Sequence, residues 1–441
     1  MGGRVSLAAL CILAAGVGFA GEALATDGYF QYGYGARQKG LAGAGVADSR
    51  DATAIALNPA GLVHVGDQLA FSVTAFSPHR GYEAEPGCNP TSCPPVLSGE
   101  RGSDRQLFAI PNLAYARRLG TDTVFALGAY GNGGMNTTYP DVVFDVFDGT
   151  LGNEEAPTGV DLTQMFISAA LSYRMGRLSV GVAPLFAVQF FEAEGVGNFA
   201  GFSTDPQNVS DNDYDISYGG GLRAGIEYAA TPWLRFGVAG NTLIAMTEFD
   251  DYAGLFAEQG DFDIPPSLSA GLAIDLRPDM TLMLDYKRIW YSAIDSVNNA
   301  SLLLRDCAGG DVSACLGTDE GAGFGWEDID IIKVALEWRY DNQWTLRAGY
   351  SYNENPIRSD DVAINIIAPG VVQHHITGGF KYAWSEDLDL EFAAAFVPEN
   401  EVSGRHPFGD QEITIGMWQM EATLGAVWHL DPPEAPLEPL K

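Results

Sequence analysis

From about Gln68 to Leu430 the chain alternates apolar and polar residues with period two, again and again. Ile332, Val334, Leu336, Trp338 and Tyr340 interleave with Lys333, Ala335, Glu337 and Arg339. Trp344, Leu346, Ala348, Tyr350 and Tyr352 interleave with Thr345, Arg347, Gly349 and Ser351, and Met420, Ala422, Leu424, Ala426 and Trp428 do the same near the end. A helix scatters such residues around its axis, whereas a strand sorts them onto two faces. About fourteen segments qualify: 67–78, 106–118, 122–133, 161–175, 178–190, 215–229, 233–246, 265–276, 280–291, 329–340, 343–353, 372–384, 388–398 and 415–430. Their connections alternate between short turns, such as Gly176-Arg177 and Asp341-Asn342, and long loops at about 79–105, 134–160, 191–214, 247–264, 292–328, 354–371 and 399–414. A tilted strand needs only ~9–11 residues to cross a bilayer. An even strand number with turns and loops in alternation predicts an all-β fold, a 14-stranded antiparallel transmembrane β-barrel of the outer-membrane kind.

The two faces agree with that. A soluble barrel points its apolar face inward. Here the other face carries Arg223, Glu227, Asp275, Asp285, Lys287, Lys333, Glu337 and Arg347, which suit a hydrated lumen. Trp233, Trp290, Trp338, Tyr340, Trp344, Trp384 and Trp428 fall near strand ends, as interfacial girdles require. The rival fold is a soluble β-sandwich with one wet face. Composition narrows the field further. The chain of 441 residues carries 57 acidic and 24 basic side chains, a net charge of -33, which is the wrong sign for holding nucleic-acid phosphates. Hydrophobic residues make up 46%, too many for a disordered chain.

Residues 1–25 read as a secretory signal peptide, with Arg4, an apolar run from Val5 to Ala20, and a small-x-small site at Ala23-Leu24-Ala25. Residues 431–441 form a Pro-rich C-terminal tail. Four cysteines remain after the signal, in two local pairs, Cys88 with Cys93 and Cys307 with Cys315. An even count outside the cytoplasm predicts disulfides, with a four-Cys zinc site as the rival.

Residues 26–66 do not alternate. They are rich in Gly and Ala and precede the first strand, the place of a plug. A barrel of this size is too wide for side chains alone to fill. The run Gly40-Leu41-Ala42-Gly43-Ala44-Gly45, then Asp51-Ala52, then Asn58-Pro59-Ala60-Gly61-Leu62, resembles the N-terminal hatch of the FadL/TodX family of outer-membrane channels for long-chain fatty acids and other hydrophobic compounds. With the strand count and loop pattern, the resemblance extends over 26–430. It implies a hatch at 26–66 inside a barrel at 67–430, in the outer membrane of a Gram-negative bacterium. It also implies passive uptake of a hydrophobic small molecule, with a lateral opening made by a kink in the third strand. The chain is expected to work as a monomer, without a cofactor or a metal, and not as an enzyme. Within the family, monoaromatic hydrocarbons are the alternative substrates to fatty acids. Outside it, a receptor or adhesin and a barrel enzyme are the alternatives.

The third segment ends in Gly131-Asn132-Gly133-Gly134, where glycine permits a bulge, and by resemblance this is the lateral opening. The rival is an ordinary strand end. By resemblance, too, the third and fourth long loops form a groove that captures substrate. There the chain has Phe190, Phe191, Phe199 and Phe202, then Phe249, Tyr252, Leu255, Phe256 and Phe262. They could equally pack on one another as a loop core. A fatty carboxylate in the lumen calls for a cation, and Arg223, Lys287, Lys333 and Arg347 are on the inward register. The rival is an internal ion-pair network with the acidic residues of the same face. Arg37, Lys39 and Arg50 of the hatch are read as anchors to the wall, and Asn58-Pro59-Ala60 as a structural turn.

No Walker A, HExxH or GxSxG motif occurs. The long loops hold 34 acidic and 6 basic residues, a net -28 of the chain's -33. The charge is therefore an acidic crown at one end of the barrel, where divalent cations could bridge it to lipopolysaccharide phosphates.

Overall fold

A computed structural model describes residues 27–87, 96–144 and 157–430. The signal peptide, the Cys88–Cys93 pair and the C-terminal tail lie outside the described residues. Sixteen strands run through the chain: β1 (Gln68–Ala84), β2 (Gly99–Gly102), β3 (Phe108–Arg118), β4 (Thr123–Tyr139), β5 (Thr158–Met175), β6 (Leu178–Glu194), β7 (Asp215–Thr231), β8 (Leu234–Asn241), β9 (Ala245–Met246), β10 (Ser267–Arg277), β11 (Met280–Ile289), β12 (Ile329–Arg339), β13 (Trp344–Asn353), β14 (His374–Ala383), β15 (Leu388–Arg405) and β16 (Glu412–His429). Fourteen form the wall. The other two are short additions, β2 to β1 and β9 to β7. Each wall strand pairs antiparallel with the next, and β1 closes on β16 in a register from Gln68↔His429 to Ala84↔Ile413. Closure leaves the wall without a free edge, which a bilayer demands.

All fourteen predicted segments are wall strands, but several continue further toward the long loops, to Ala84 in β1, Tyr139 in β4 and Arg405 in β15. Above the bilayer the outer face meets water. The alternation in sequence therefore stops while the hydrogen-bond ladder continues. The predicted strand 233–246 breaks instead. β8 ends at Asn241, and only Ala245–Met246 pair again with β7. Opposite the break, Pro265 and Pro266 have no N–H to donate, and Asn241 Nδ2 bonds Pro265 O at 3.3 Å.

The faces are inverted relative to a soluble protein. Ile332 is 56% exposed and Leu424 68%, while Lys333, Glu337, Arg347 and Glu421 are buried. In water this would sacrifice about 25 cal/mol for every Å² of apolar surface left outside; in hydrocarbon it is the stable arrangement. At the short-turn end Tyr340, Trp344, Trp384 and Trp428 stand outward as an aromatic belt, with Trp338 and Tyr340 edge-to-face at 5.0 Å.

Residues 27–66 sit inside this ring. A helix over Gly35–Gly40 lies against β14 and β15, and two 3₁₀ turns, Ala52–Ala56 and Pro59–His64, lie against β3 to β7. In the long loop before β12, Cys307 and Cys315 form a disulfide above a small cluster of Phe202, Leu304, Leu316 and Ala322.

Candidate functional site

Charges tie the N-terminal segment into the barrel. Arg37 Nε lies 2.9 Å from Glu337 Oε2 and its Nη2 lies 2.7 Å from Asp48 Oδ2. Lys39 Nζ meets Glu421 at 2.6 Å. Arg235 of β8 bridges Asp275 at 2.7 Å and Asp48 at 2.8 Å. Asp285 Oδ2 accepts the backbone N–H groups of Gly45 and Val46 at 2.7 and 2.9 Å. Among the described residues Arg50 pairs with Asp48, within the segment itself. Asn58 works as a structural joint. Its Oδ1 accepts from Ala60 N at 3.0 Å, capping the 3₁₀ turn, and its Nδ2 donates to Val46 O at 2.7 Å and Ile226 O at 3.2 Å. The wall makes room with glycine: a Cβ on Gly181 would stand 2.4 Å from the backbone of Pro59-Ala60.

The first described residues meet the third wall strand. β3 pairs with β4 only up to Asn112↔Tyr130, while β4 stays paired with β5 to Tyr139↔Thr158. The register of β4 slips between Gly131 and Gly133, a one-residue bulge at Asn132. On the edge that β3 relinquishes, Gly134 N donates to Tyr29 O at 2.9 Å, and Gln31 N donates to Asn132 O at 3.0 Å. Gln31 Nε2 also reaches Gly131 O at 2.8 Å. A Cβ on Gly133 would stand 2.2 Å from Tyr29 O, so the approach requires glycine there.

Between the segment and β7–β12 is a partly open cavity. Phe30, Val46, Leu57, Phe166, Ala239 and Ile264 line it, along with Tyr34, Asn132, Asn241, Asp285 and three cations, Arg223, Lys287 and Lys333. Lys287 and Lys333 lie 3.1 and 3.2 Å from Asp27 Oδ2. Arg223 Nη1 donates to the Tyr130 hydroxyl at 2.7 Å and has no carboxylate partner among the described residues. The structure thus brings together three of the four predicted cations. Arg347 is the correction: it is buried between Glu337 and Glu391 at 3.0 and 2.8 Å, inside the ion-pair network and away from the cavity.

The loop aromatics are a second correction. Phe191, Phe249, Tyr252, Phe256 and Phe262 are buried and pack on one another with ring centroids 4.8 to 6.0 Å apart. They form a core under the loops, not an open groove. The cluster runs on through Tyr29, Tyr291 and Trp326 to Phe30, which lines the cavity. Phe202 packs on Phe408 and Phe199 on Phe144. Leu255 is half-buried against the main core. Phe190 faces the same way as the exposed Phe186, on the outer wall. Two carboxylates held by backbone N–H groups, Asp263 by Met246 and Asp261 by Asp263, change character here. Burial, and then the negative charge of Asp263, push Asp261 up to about 7; burial raises Asp263 as well. Among the described residues, no group of three or more His, Cys, Asp or Glu side chains comes together as a metal site. Asp27, Phe30, Gln31 and Tyr34 were not singled out from sequence; the aromatic run around Gly28-Tyr29-Phe30 was the available signal.

Residues 31–416 match the family described as outer membrane protein transport protein (OMPP1/FadL/TodX). Over 78 residues, 18% of the chain, the sequence is 28% identical to the long-chain fatty acid transport protein of Escherichia coli O6:H1, a stretch spanning 17% of that relative's length. In fold the chain is similar to the Pseudomonas putida toluene transporter TodX, with TM-score 0.65 and 18% identity over 90% of this chain and 99% of that one. It is similar also to a Pseudomonas aeruginosa FadL homologue, with TM-score 0.64 and 15% identity over 93% and 100%. With its match over most of its length and its closed 14-stranded wall, this chain belongs to the OMPP1/FadL/TodX family of outer-membrane transport proteins.

Proposed function

We propose that the barrel takes up long-chain fatty acids or closely related amphipathic acids by passive diffusion. Residues 26–66 act as the hatch, and 67–430 as the conducting wall. The ligand passes the aromatic loop core into the lumenal cavity, its chain against Phe30, Leu57 and Phe166 and its acid group toward Arg223, Lys287 and Lys333. It leaves sideways where β3 and β4 part, once Tyr29 to Gln31 let go of the Gly131-Asn132-Gly133-Gly134 edge. The observation that carries this reading is Arg223, a buried guanidinium with no carboxylate partner among the described residues, in a cavity that also offers the apolar side chains of Phe30, Val46, Leu57, Phe166 and Ile264. A guanidinium so placed is well suited to a carboxylate. The fatty acid transport protein of Escherichia coli is in keeping with it.

Monoaromatic hydrocarbons are the second reading, supported by the likeness in fold to a toluene transporter and by the pairing of two of the cavity's cations with Asp27. Binding of palmitate and toluene to Arg223→Ala separates the two. Palmitate affinity should drop by about tenfold or more, the loss of one charge-assisted hydrogen bond of roughly 1.5–3 kcal/mol. Toluene should change little. Equal effects on both ligands would remove carboxylate recognition from the site.

A further inference from the structure

We propose that Asp27 is an internal competitor for acidic ligands: its carboxylate occupies the two-lysine seat that a ligand's acid group would take, and this sets the channel's discrimination between amphipathic acids and neutral hydrophobes. The inference rests on the proposed use of the cavity by such acids.

Asp27 is fully buried. Its Oδ2 lies 3.1 Å from Lys287 Nζ and 3.2 Å from Lys333 Nζ, and both lysines line the cavity. Its other oxygen, Oδ1, is also buried and makes no hydrogen bond to a described residue. The occupant is therefore not fully satisfied by the seat; on the other side, Lys333 Nζ also donates to Tyr32 O at 2.9 Å, while Lys287 Nζ makes no hydrogen bond to a described residue other than Asp27. An incoming carboxylate could engage the same lysines from the cavity side and lie near Arg223 as well.

Asp27 has the advantage of being tethered. Its N–H donates to Phe30 O at 2.8 Å, and the Tyr291 hydroxyl donates to its carbonyl oxygen at 2.8 Å. A held group competes at an effective concentration of mM or more. A ligand that needs the seat sees its affinity reduced by the fraction of time the seat is free. A neutral hydrocarbon has no use for two ammonium groups and suffers no such reduction. Asp27 thus penalises acids and leaves hydrocarbons alone, so it acts on specificity through charge while touching none of the apolar lining.

Binding of palmitate and toluene to the full-length, folded barrel tests this, with the heat-modifiable shift in gel mobility as the check on folding. Asp27→Asn should bind palmitate at least about tenfold more tightly than the parent, with toluene within about twofold. Asp27→Glu, which keeps the charge, should stay near the parent. Asp27→Asn leaves two buried ammonium groups facing each other, so a charge-balanced comparison accompanies it. Lys287→Met with Asp27→Asn should bind palmitate more tightly than Lys287→Met alone. Palmitate affinity unchanged or weakened by Asp27→Asn, or both ligands tightened alike, would overturn the competitor role while leaving fatty-acid uptake standing. If neither the parent nor Asp27→Asn binds palmitate, the fatty-acid reading itself is lost, and this inference with it.

Discussion

At the scale of single residues, Asp48 shows how charge is kept inside a barrel. It is 3% exposed and receives Arg37, Arg50 and Arg235 at 2.7 to 2.8 Å. Isolated, such a carboxylate would be costly to bury; ringed by guanidinium groups it fastens the hatch to the wall. Asp261 and Asp263 are the opposite case, two carboxylates held together without a cation. The folded Asp261 titrates near 7, above its ordinary value of 3.8. A raised carboxyl pKa means the folded loop binds the proton more tightly than the unfolded one. Its contribution to loop stability is whole below about 3.8 and is lost as pH rises through about 7. The loop from Phe249 to Ile264 should therefore be cleaved faster by protease at about pH 8 than at about pH 5, relative to a cleavage site elsewhere in the protein. Asp261→Asn should flatten the difference. A pH response unchanged in that variant would show that other loop carboxylates dominate.

Among elements, β4 is an irregular wall strand beside the cavity. Its bulge and its missing β3 partner leave backbone groups that Tyr29 and Gln31 satisfy from inside. Two or three hydrogen bonds of about 0.5–1.5 kcal/mol each hold this closure. Gly133→Val would thrust a side chain into the Tyr29 carbonyl. The expected result is release of a preloaded ligand faster by about tenfold, for roughly 1.4 kcal/mol taken from the closed arrangement, in a stopped-flow measurement. Release at the parental rate would argue that the exit lies elsewhere. The glycines at 131, 133 and 134 were the sequence signal for a bulge here, although the three consecutive glycines of β7 pair in regular register. The departure of β3 was not legible, since strand partners are set by register and not by local pattern. β8 was misjudged for a related reason: its apolar alternation continues to Met246, but the prolines across from it cannot complete the ladder.

For the whole molecule, wall and hatch have separate sources of stability. The wall is a closed ladder in which β1 and β16 alone share seventeen paired positions. Residues 27–66, the proposed hatch, are held inside it by ion pairs and close glycine contacts. A variant lacking residues 27–66 should still insert as a heat-modifiable barrel and should conduct ions far better than the parent in planar bilayers, because side chains alone do not fill a barrel of this width. Conductance equal to the parent's would mean that the loops, not the hatch, close the lumen.

The sequence by itself determined the number of wall strands, the direction of their apolar faces, and the end of the barrel on which the acidic loops lie, but not the short β2 and β9 or the break in β8. What it determined follows from period two and chain connectivity, which are local. The lumenal contacts were decided only by the tertiary structure. Inward cations look alike in sequence whether they face a cavity, as Arg223 does, or an ion pair, as Arg347 does. Apolar loop residues look alike whether they line a groove or fill a core. The difference is a matter of which distant side chain comes within about 3–4 Å, where Coulomb and packing energies are decided. Asp27 reaches Lys333 across 306 residues of chain, and no local pattern reports a distance of that kind.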